Sequence, residues 1–272
     1  MHDELNPQAE QMEDESMVRT LAAQAECIWP QEEPLFRRYG LPDDIRILDA
    51  GCGTGEITSR LAQLYPKANI LGVDIIDAHL DLARRRAASL SPRVRFENRS
   101  IFALDLPDDT YDLVTCRHVF QAIPRVDDVI AELARVTRPG GRLHLLSEDY
   151  GMIHFPPRLL DPDDLWREGP LNFGRATGTD LRIGRRTYTI VKRLLLRDIT
   201  VDYIVVDPLR APRVAFVAIW EAWRDGYAEV TARHTRFSAD EVRAHFDDMI
   251  ATLRDPDGYG AWLVPVISGI VP

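Results

Sequence analysis

The run Leu48-Asp49-Ala50-Gly51-Cys52-Gly53-Thr54-Gly55-Glu56 constrains this chain more than any other stretch. It follows Ile45 to Ala50, which reads as a buried strand, and precedes Glu56 to Tyr65, where Ile57, Leu61 and Leu64 recur at helical spacing. Three glycines at alternate positions between a strand and a helix remove the Cβ atoms that would hold a neighbour away. The helix start adds the positive end of its dipole. A large ligand can approach such a backbone closely. The spacing G-x-G-x-G is not the G-x-G-x-x-G of dinucleotide-binding turns, and Glu56 puts a carboxylate where a pyrophosphate would sit. The turn argues against NAD or FAD and for a ligand without phosphate, whose ammonium group meets Asp49 and backbone carbonyls.

The alternation continues along the chain. Asn69 to Asp74, Val94 to Glu97 and Tyr111 to Cys116 read as strands, with a helix over Ala78 to Ala88. Val129, Leu133 and Val136 stripe another helix, stopped by Arg138-Pro139-Gly140-Gly141 before a fifth strand, Arg142 to Ser147. Strands alternating with helices predict a mostly parallel α/β sheet covered on both faces. Beyond Glu148, Pro156, Pro157, Pro162 and Pro170 predict a loop over residues 151–180 that acts as a lid. Leu181 to Leu196 reads as a helix, and Ile199 to Val206 and Trp262 to Ser268 as the last strands. Pro265 implies an edge position or a bulge. Residues 207–260 are too many for a hairpin loop, so they predict an inserted helical pair. Its members are Val214 to Val230 and a helix opened by Ser238 and Glu241 at capping-box spacing. Within residues 1–40, Ser16 to Ile28 predicts a helix after an acidic, frayed start at Asp3 to Glu15.

With 272 residues, 45% of them hydrophobic and 28% charged, the chain has the composition of an ordinary globular protein of one large domain with an appendage. Its net charge of -10 repels a phosphate backbone, which makes nucleic acid a poor partner. No apolar stretch reaches the roughly 18 residues of a membrane span, and the acidic start is not that of a signal peptide. Cys27, Cys52 and Cys116 are odd in number with no C-x-x-C spacing, so neither a disulfide framework nor a metal site is expected. A reducing cytoplasm follows.

Asp74, at the end of the second strand and 19 residues after Gly55, is placed to accept hydrogen bonds from both hydroxyls of a ribose, which makes the ligand a nucleoside. With LDAGCGTG, GVD, LPDDTYDLV and RVTRPGG in order, residues 45–148 resemble class I S-adenosylmethionine-dependent methyltransferases of the small-molecule type, akin to those of ubiquinone and menaquinone biosynthesis. The resemblance implies a Rossmann-like seven-stranded sheet in the order 3-2-1-4-5-7-6 with strand 7 antiparallel. The predicted helical pair then forms a cap between strands 6 and 7, within a methyltransferase domain over residues 41–272. It also implies that Asp49, Gly51 and Gly53 line the methionine part of the cofactor, Asp74 the ribose and Ile75 one face of adenine. Ile101 and Phe102 would close the other face. Ser100 stands where many relatives have an acidic residue toward the adenine amino group, which leaves that contact to another group.

Arg117 and His118 follow the fourth strand, where the sulfonium methyl points in this family. Imidazole titrates near neutrality, so His118 is the candidate base; Arg117 is a candidate catalytic and cofactor-binding residue, with holding a substrate carboxylate or pairing with one of the protein's own acids as the alternatives. Thr115-Cys116-Arg117-His118 replaces the N-P-P-Y segment of many amino-group methyltransferases of nucleic acid and protein. Tyr150 and His154, after the fifth strand, and Trp29, in the N-terminal segment, are candidate substrate contacts. Trp220, Trp223 and Tyr227 read first as packing. The expected reaction is methyl transfer from S-adenosylmethionine to an O, N or S atom of a small organic molecule, secondary metabolites included. A binding or regulatory protein that kept the nucleoside pocket is the rival reading, an NAD-dependent oxidoreductase a third, and a homodimer is left open.

Overall fold

The computed structural model describes residues 6–272. Eight strands form one mixed sheet: β1 (Arg46–Ala50), β2 (Asn69–Asp74), β3 (Val94–Asn98), β4 (Tyr111–Arg117), β5 (Thr137–Leu146), β6 (Ile153–His154), β7 (Arg197–Val206) and β8 (Ala261–Ile270). Their order is 3-2-1-4-5-8-7, and the two-residue β6 pairs with β8 beyond the end of β5. Set β6 aside and this is the expected seven-strand order. β1 to β5 run parallel, and β8 is antiparallel between β5 and β7. Alternate residues separate the two faces. Leu48 and Ala50 join the core under one set of helices, while Ile47 and Ile70 join the other.

The helices are α1 (Ala9–Glu13), α2 (Glu15–Arg38), α3 (Glu56–Leu64), α4 (Asp77–Arg86), α5 (Val126–Val136), α6 (Pro162–Thr177), α7 (Gly184–Arg193), α8 (Arg213–Ala232) and α9 (Ala239–Arg254). The expected frayed acidic start lies outside the described residues up to Leu5. From Glu15 onward it is helix, capped by Asp14, whose carboxylate accepts from Ser16 N at 2.8 Å.

Three sequence expectations are corrected. The N-terminal helix does not stop at Ile28 but runs to Arg38 through Pro30 and Pro34. Both prolines lie on the solvent side, one turn apart, so the carbonyls that lose a partner can be hydrated. The opposite face is buried against the sheet and cap. Residues 151–180 are not a loop throughout, because Pro162 occupies the first turn of α6, where its missing N–H costs nothing. Asp161 caps that helix through Asp163 N at 3.0 Å, and Gly178 ends it in the left-handed region. Pro265 is neither at a sheet edge nor in a bulge. Its carbonyl faces β5 and accepts from Ser147 N at 3.0 Å, just where pairing with β5 ends at Leu146, so its missing N–H leaves no donor unmatched.

α8 and α9 form the expected antiparallel insertion between β7 and β8. Ser238 and Glu241 make a full capping box at the start of α9. Phe216, Ile219 and Trp220 of α8 and Val242, Phe246 and Met249 of α9 share a core with β7, β8 and the α2 residues Ala23, Cys27 and Ile28. The cap is thereby fastened to the N-terminal helix and to the carboxyl edge of the sheet.

Candidate functional site

The carboxyl ends of β1, β2, β4 and β5 converge on a cavity. It lies at the sheet edge where open α/β folds bind ligands. Gly51, Gly53, Asp74, Ile75, Ser100, Ile101, Phe102, Arg117, His118 and Tyr150 all line it. Asp49 lies on an adjoining recess of about 370 Å³ shared with Gly51, Arg117 and His118.

The glycine turn is held open by backbone conformation. Gly51 and Gly53 have φ of 73° and 50°, and a Cβ at Gly51 would stand 2.5 Å from Val119 Cγ2. Asp74 ties this turn to the end of β2, accepting from Gly53 N at 2.8 Å with one oxygen and from Ile76 N at 3.0 Å with the other. Each oxygen keeps a lone pair for a ligand hydroxyl. Ile75, 37% exposed, and Phe102 add apolar surface to the same cavity.

Asp49 is fully buried under this floor. Burial pushes its carboxyl up to about 6, although Thr58 Oγ1 donates to it at 2.5 Å. Such a group gains from a cationic ligand, which restores what burial takes away.

Arg117 is anchored from an element outside the motif series. Its Nε donates at 2.7 Å to Glu32 Oε1 of α2, a fully buried carboxylate. His144 Nε2 lies 2.9 Å from the same oxygen, and the Tyr39 hydroxyl 2.7 Å from His144 Nδ1. Burial alone would raise the Glu32 carboxyl, but Arg117 and His144 outweigh it and hold it at about 2. Burial lowers His144, so the ring is neutral, donating from Nε2 to Glu32 and accepting from Tyr39 at Nδ1. Arg117 Nη2 is buried with no partner among the described residues, which leaves one donor for a carboxylate in the cavity.

His118 sits at φ 55°, a left-handed conformation that a non-glycine residue adopts at a cost. That backbone turns its ring onto Glu148, whose Oε1 contacts Nδ1. Nδ1–H donating to this carboxyl assigns the lone pair to Nε2. Both His118 Nε2 and Glu148 Oε2 are buried without partners among the described residues, and both side chains line the cavity. Groups in that state call for a polar atom of a ligand.

Two sequence candidates fall elsewhere. Trp29 does not face the cavity. Because α2 continues past Pro30, its ring packs with Phe36 at 5.8 Å between centroids, and Nε1 donates to Glu33 Oε2 at 3.0 Å. His154 is exposed on β6, since strand alternation turns Ile153 inward and His154 out. Trp223 and Tyr227, read first as packing, line the cavity, while Trp220 is core. Glu32, Glu148 and the α2 face of Met17, Thr20 and Gln24 belong to the site although the sequence motifs do not mark them. A three- to four-residue spacing was the signal for the last group, and a carboxylate just past an apolar strand the signal for Glu148. Among the described residues no cluster of three or more His, Cys, Asp or Glu could hold a metal ion, and no helix is long and apolar enough to cross a membrane.

This sheet order, with a glycine turn after β1 and a carboxylate after β2, defines the class I S-adenosylmethionine-dependent methyltransferase fold. Residues 41–166 match a family described as a methyltransferase domain. A demethylmenaquinone methyltransferase of Deinococcus radiodurans is 38% identical over 112 residues, which cover 41% of this chain and 44% of that protein. The chain therefore spans less than half the length of this curated relative. The structure of phosphoethanolamine N-methyltransferase 2 from Haemonchus contortus, in complex with S-adenosyl-L-methionine, aligns with a TM-score of 0.57 at 19% identity, over 90% of this chain and 53% of that one. Geranyl diphosphate C-methyltransferase from Streptomyces coelicolor aligns with 0.56 at 16% identity, over 89% of this chain and 79% of the other.

Proposed function

We propose that this chain transfers a methyl group from S-adenosylmethionine to an oxygen, nitrogen or sulfur atom of a small organic molecule, in the cytoplasm. The observation that carries the reading is one cavity running from the glycine turn and Asp74 to the unpartnered His118 Nε2 and Glu148 Oε2. Asp74 holds the ribose hydroxyls, Ile75 and Phe102 the adenine faces, Asp49 the ammonium and Arg117 Nη2 the carboxylate of the methionine part. When bound, the cofactor supplies a sulfonium methyl group as electrophile. The protein's own work is to align the acceptor and keep water out. Alignment of this kind is worth roughly 7 to 11 kcal/mol of barrier. His118 takes the acceptor's proton at Nε2, with Glu148 fixing the ring, and that step adds about 100- to 10,000-fold.

A small acceptor fits a cavity roofed by α2 and α8, and a net charge of -10 argues against nucleic acid. The free, buried Cys27, Cys52 and Cys116 suit a reducing compartment. The test is incubation of the purified chain with methyl-labelled S-adenosylmethionine and a metabolite extract. Labelled product from the wild type and none from Asp74→Ala supports transfer. Cofactor binding with no labelled product from any fraction overturns it in favour of a binding protein.

A further inference from the structure

Behind the main cavity lies a second chamber of about 600 Å³, between α6, α8 and α9. The two share Tyr150, Trp223 and Tyr227, so these three aromatics are the partition between them. Tyr150 and Trp223 meet edge to face at 5.5 Å, and the Tyr227 hydroxyl donates to Gln8 Oε1 at 3.2 Å, which closes the far side with the N-terminal segment. Beyond the partition the walls are Leu165, Trp166, Phe173, Val230 and Phe246, and no Asp, Glu, Lys, Arg or His lines the chamber among the described residues.

We propose that this chamber is the subsite for the apolar body of the methyl acceptor, and that the acceptor is an uncharged molecule with a hydroxyl or amine at one end and an aromatic or aliphatic tail at the other. The inference rests on the methyltransferase reading and names its substrate class. The polar end is set by His118 Nε2 and Glu148 Oε2, an adjacent pair among the buried atoms that lack partners on the main-cavity side. The tail is set by the chamber, where an ionised group would lose its hydration with nothing to replace it. On the main-cavity side Arg99 donates to Glu97 and to the Leu104 and Asp105 carbonyls, and Arg117 gives Nε to Glu32 and keeps Nη2 for the carboxylate of the cofactor. An anionic tail finds no cation in the chamber among the described residues. The partition gives way by rotation of Tyr150, which lies on the short turn between β5 and β6 and whose ring packs only edge-on or tilted against Trp223 and Trp166.

The test uses 4-alkylphenols from 4-methyl- to 4-hexylphenol as probes, titrated calorimetrically into the full chain saturated with S-adenosylhomocysteine. Affinity is expected to rise about fourfold per added methylene until the chamber is full. The matching 4-alkylbenzoates are expected to bind at least about tenfold more weakly at each length. Val230→Phe and, independently, Leu165→Phe narrow the chamber and are expected to flatten the chain-length dependence. Their affinity for S-adenosylhomocysteine, read in separate titrations of the ligand-free chain, reports that each variant is folded. Affinity that does not grow with chain length, growth that survives both variants, or equal binding of the benzoates overturns the proposal. Failure of the wild type to bind S-adenosylhomocysteine at all overturns the methyltransferase reading instead, so the two failures are distinguishable.

Discussion

The floor of the cavity and its roof are built by different rules. On the floor, Asp49, Gly51, Gly53, Asp74 and Ile75 fall within 27 consecutive residues, and parallel pairing of β1 with β2 brings them together. Their positions are set by backbone geometry: positive φ at the glycines and a carboxylate that accepts from two main-chain N–H groups. On the roof, Met17, Thr20 and Gln24 come from α2, Glu148 and Tyr150 from the end of β5, and Trp223 and Tyr227 from α8. These are side chains from segments far apart in sequence, held by packing. A floor of the first kind fixes one ligand, while a roof of the second kind can be re-shaped around different acceptors without disturbing it.

The largest expected effect joins the two. Glu32 of α2 anchors Arg117 of β4, and removing one member of a buried pair leaves the other charge uncompensated. Glu32→Ala should destabilise the fold by about 3–5 kcal/mol in denaturant titration. A loss below about 1 kcal/mol would show that the roof is independent of the floor. The linkage has a definite sign. Because Glu32 is held at about 2, below its ordinary 4.5, its contribution is complete above 4.5 and is lost as pH falls toward 2.

Next in size is His118→Ala. Turnover with a saturating acceptor should fall about 100-fold or more while the Kd for S-adenosylhomocysteine stays within about twofold. Equal losses in both would place His118 in the floor.

Much of the floor was legible in the sequence because its function lies in local spacing, LDAGCGTG and GVD, which no distant segment can alter. Of the roof, Tyr150 and the helical cap were legible and the rest was not. Trp29 was expected at the cavity from the N-terminal segment, but α2 runs through both prolines on its solvent face and turns that ring into the core. Pro162 suggested a loop where α6 forms, since a proline at a helix's first turn starts it rather than breaks it, while Pro170 is carried inside the same helix. Glu148 is marked only by its place just past an apolar strand, and Trp223 only by the helical spacing it shares with Trp220 and Tyr227, which reads first as packing. Only the fold shows that one lies against His118 and the other beside Tyr150.

Asp49 gives a smaller, pH-dependent effect confined to the floor. Between its ordinary 3.8 and about 6 the folded protein keeps a proton that the unfolded chain has released, so stability falls as pH rises through that window. An ammonium ligand favours the ionised form. Affinity for S-adenosylhomocysteine should therefore drop up to about tenfold from pH 7 to pH 5, and Asp49→Asn should remove that dependence. The smallest effect is Ile75→Ala, about fivefold weaker binding of the same ligand, from loss of apolar contact on an exposed adenine face.

The central claim is that the glycine turn and Asp74 form a nucleoside site for a sulfonium cofactor, whatever acceptor the roof selects. Calorimetric titration of the purified chain with S-adenosylhomocysteine tests it most directly. The wild type should bind one equivalent and Asp74→Ala should bind about 100-fold more weakly or worse, since hydrogen bonds to a charged group are lost. A wild type that gives no binding, or an Asp74→Ala variant that binds as the wild type does, would contradict the account.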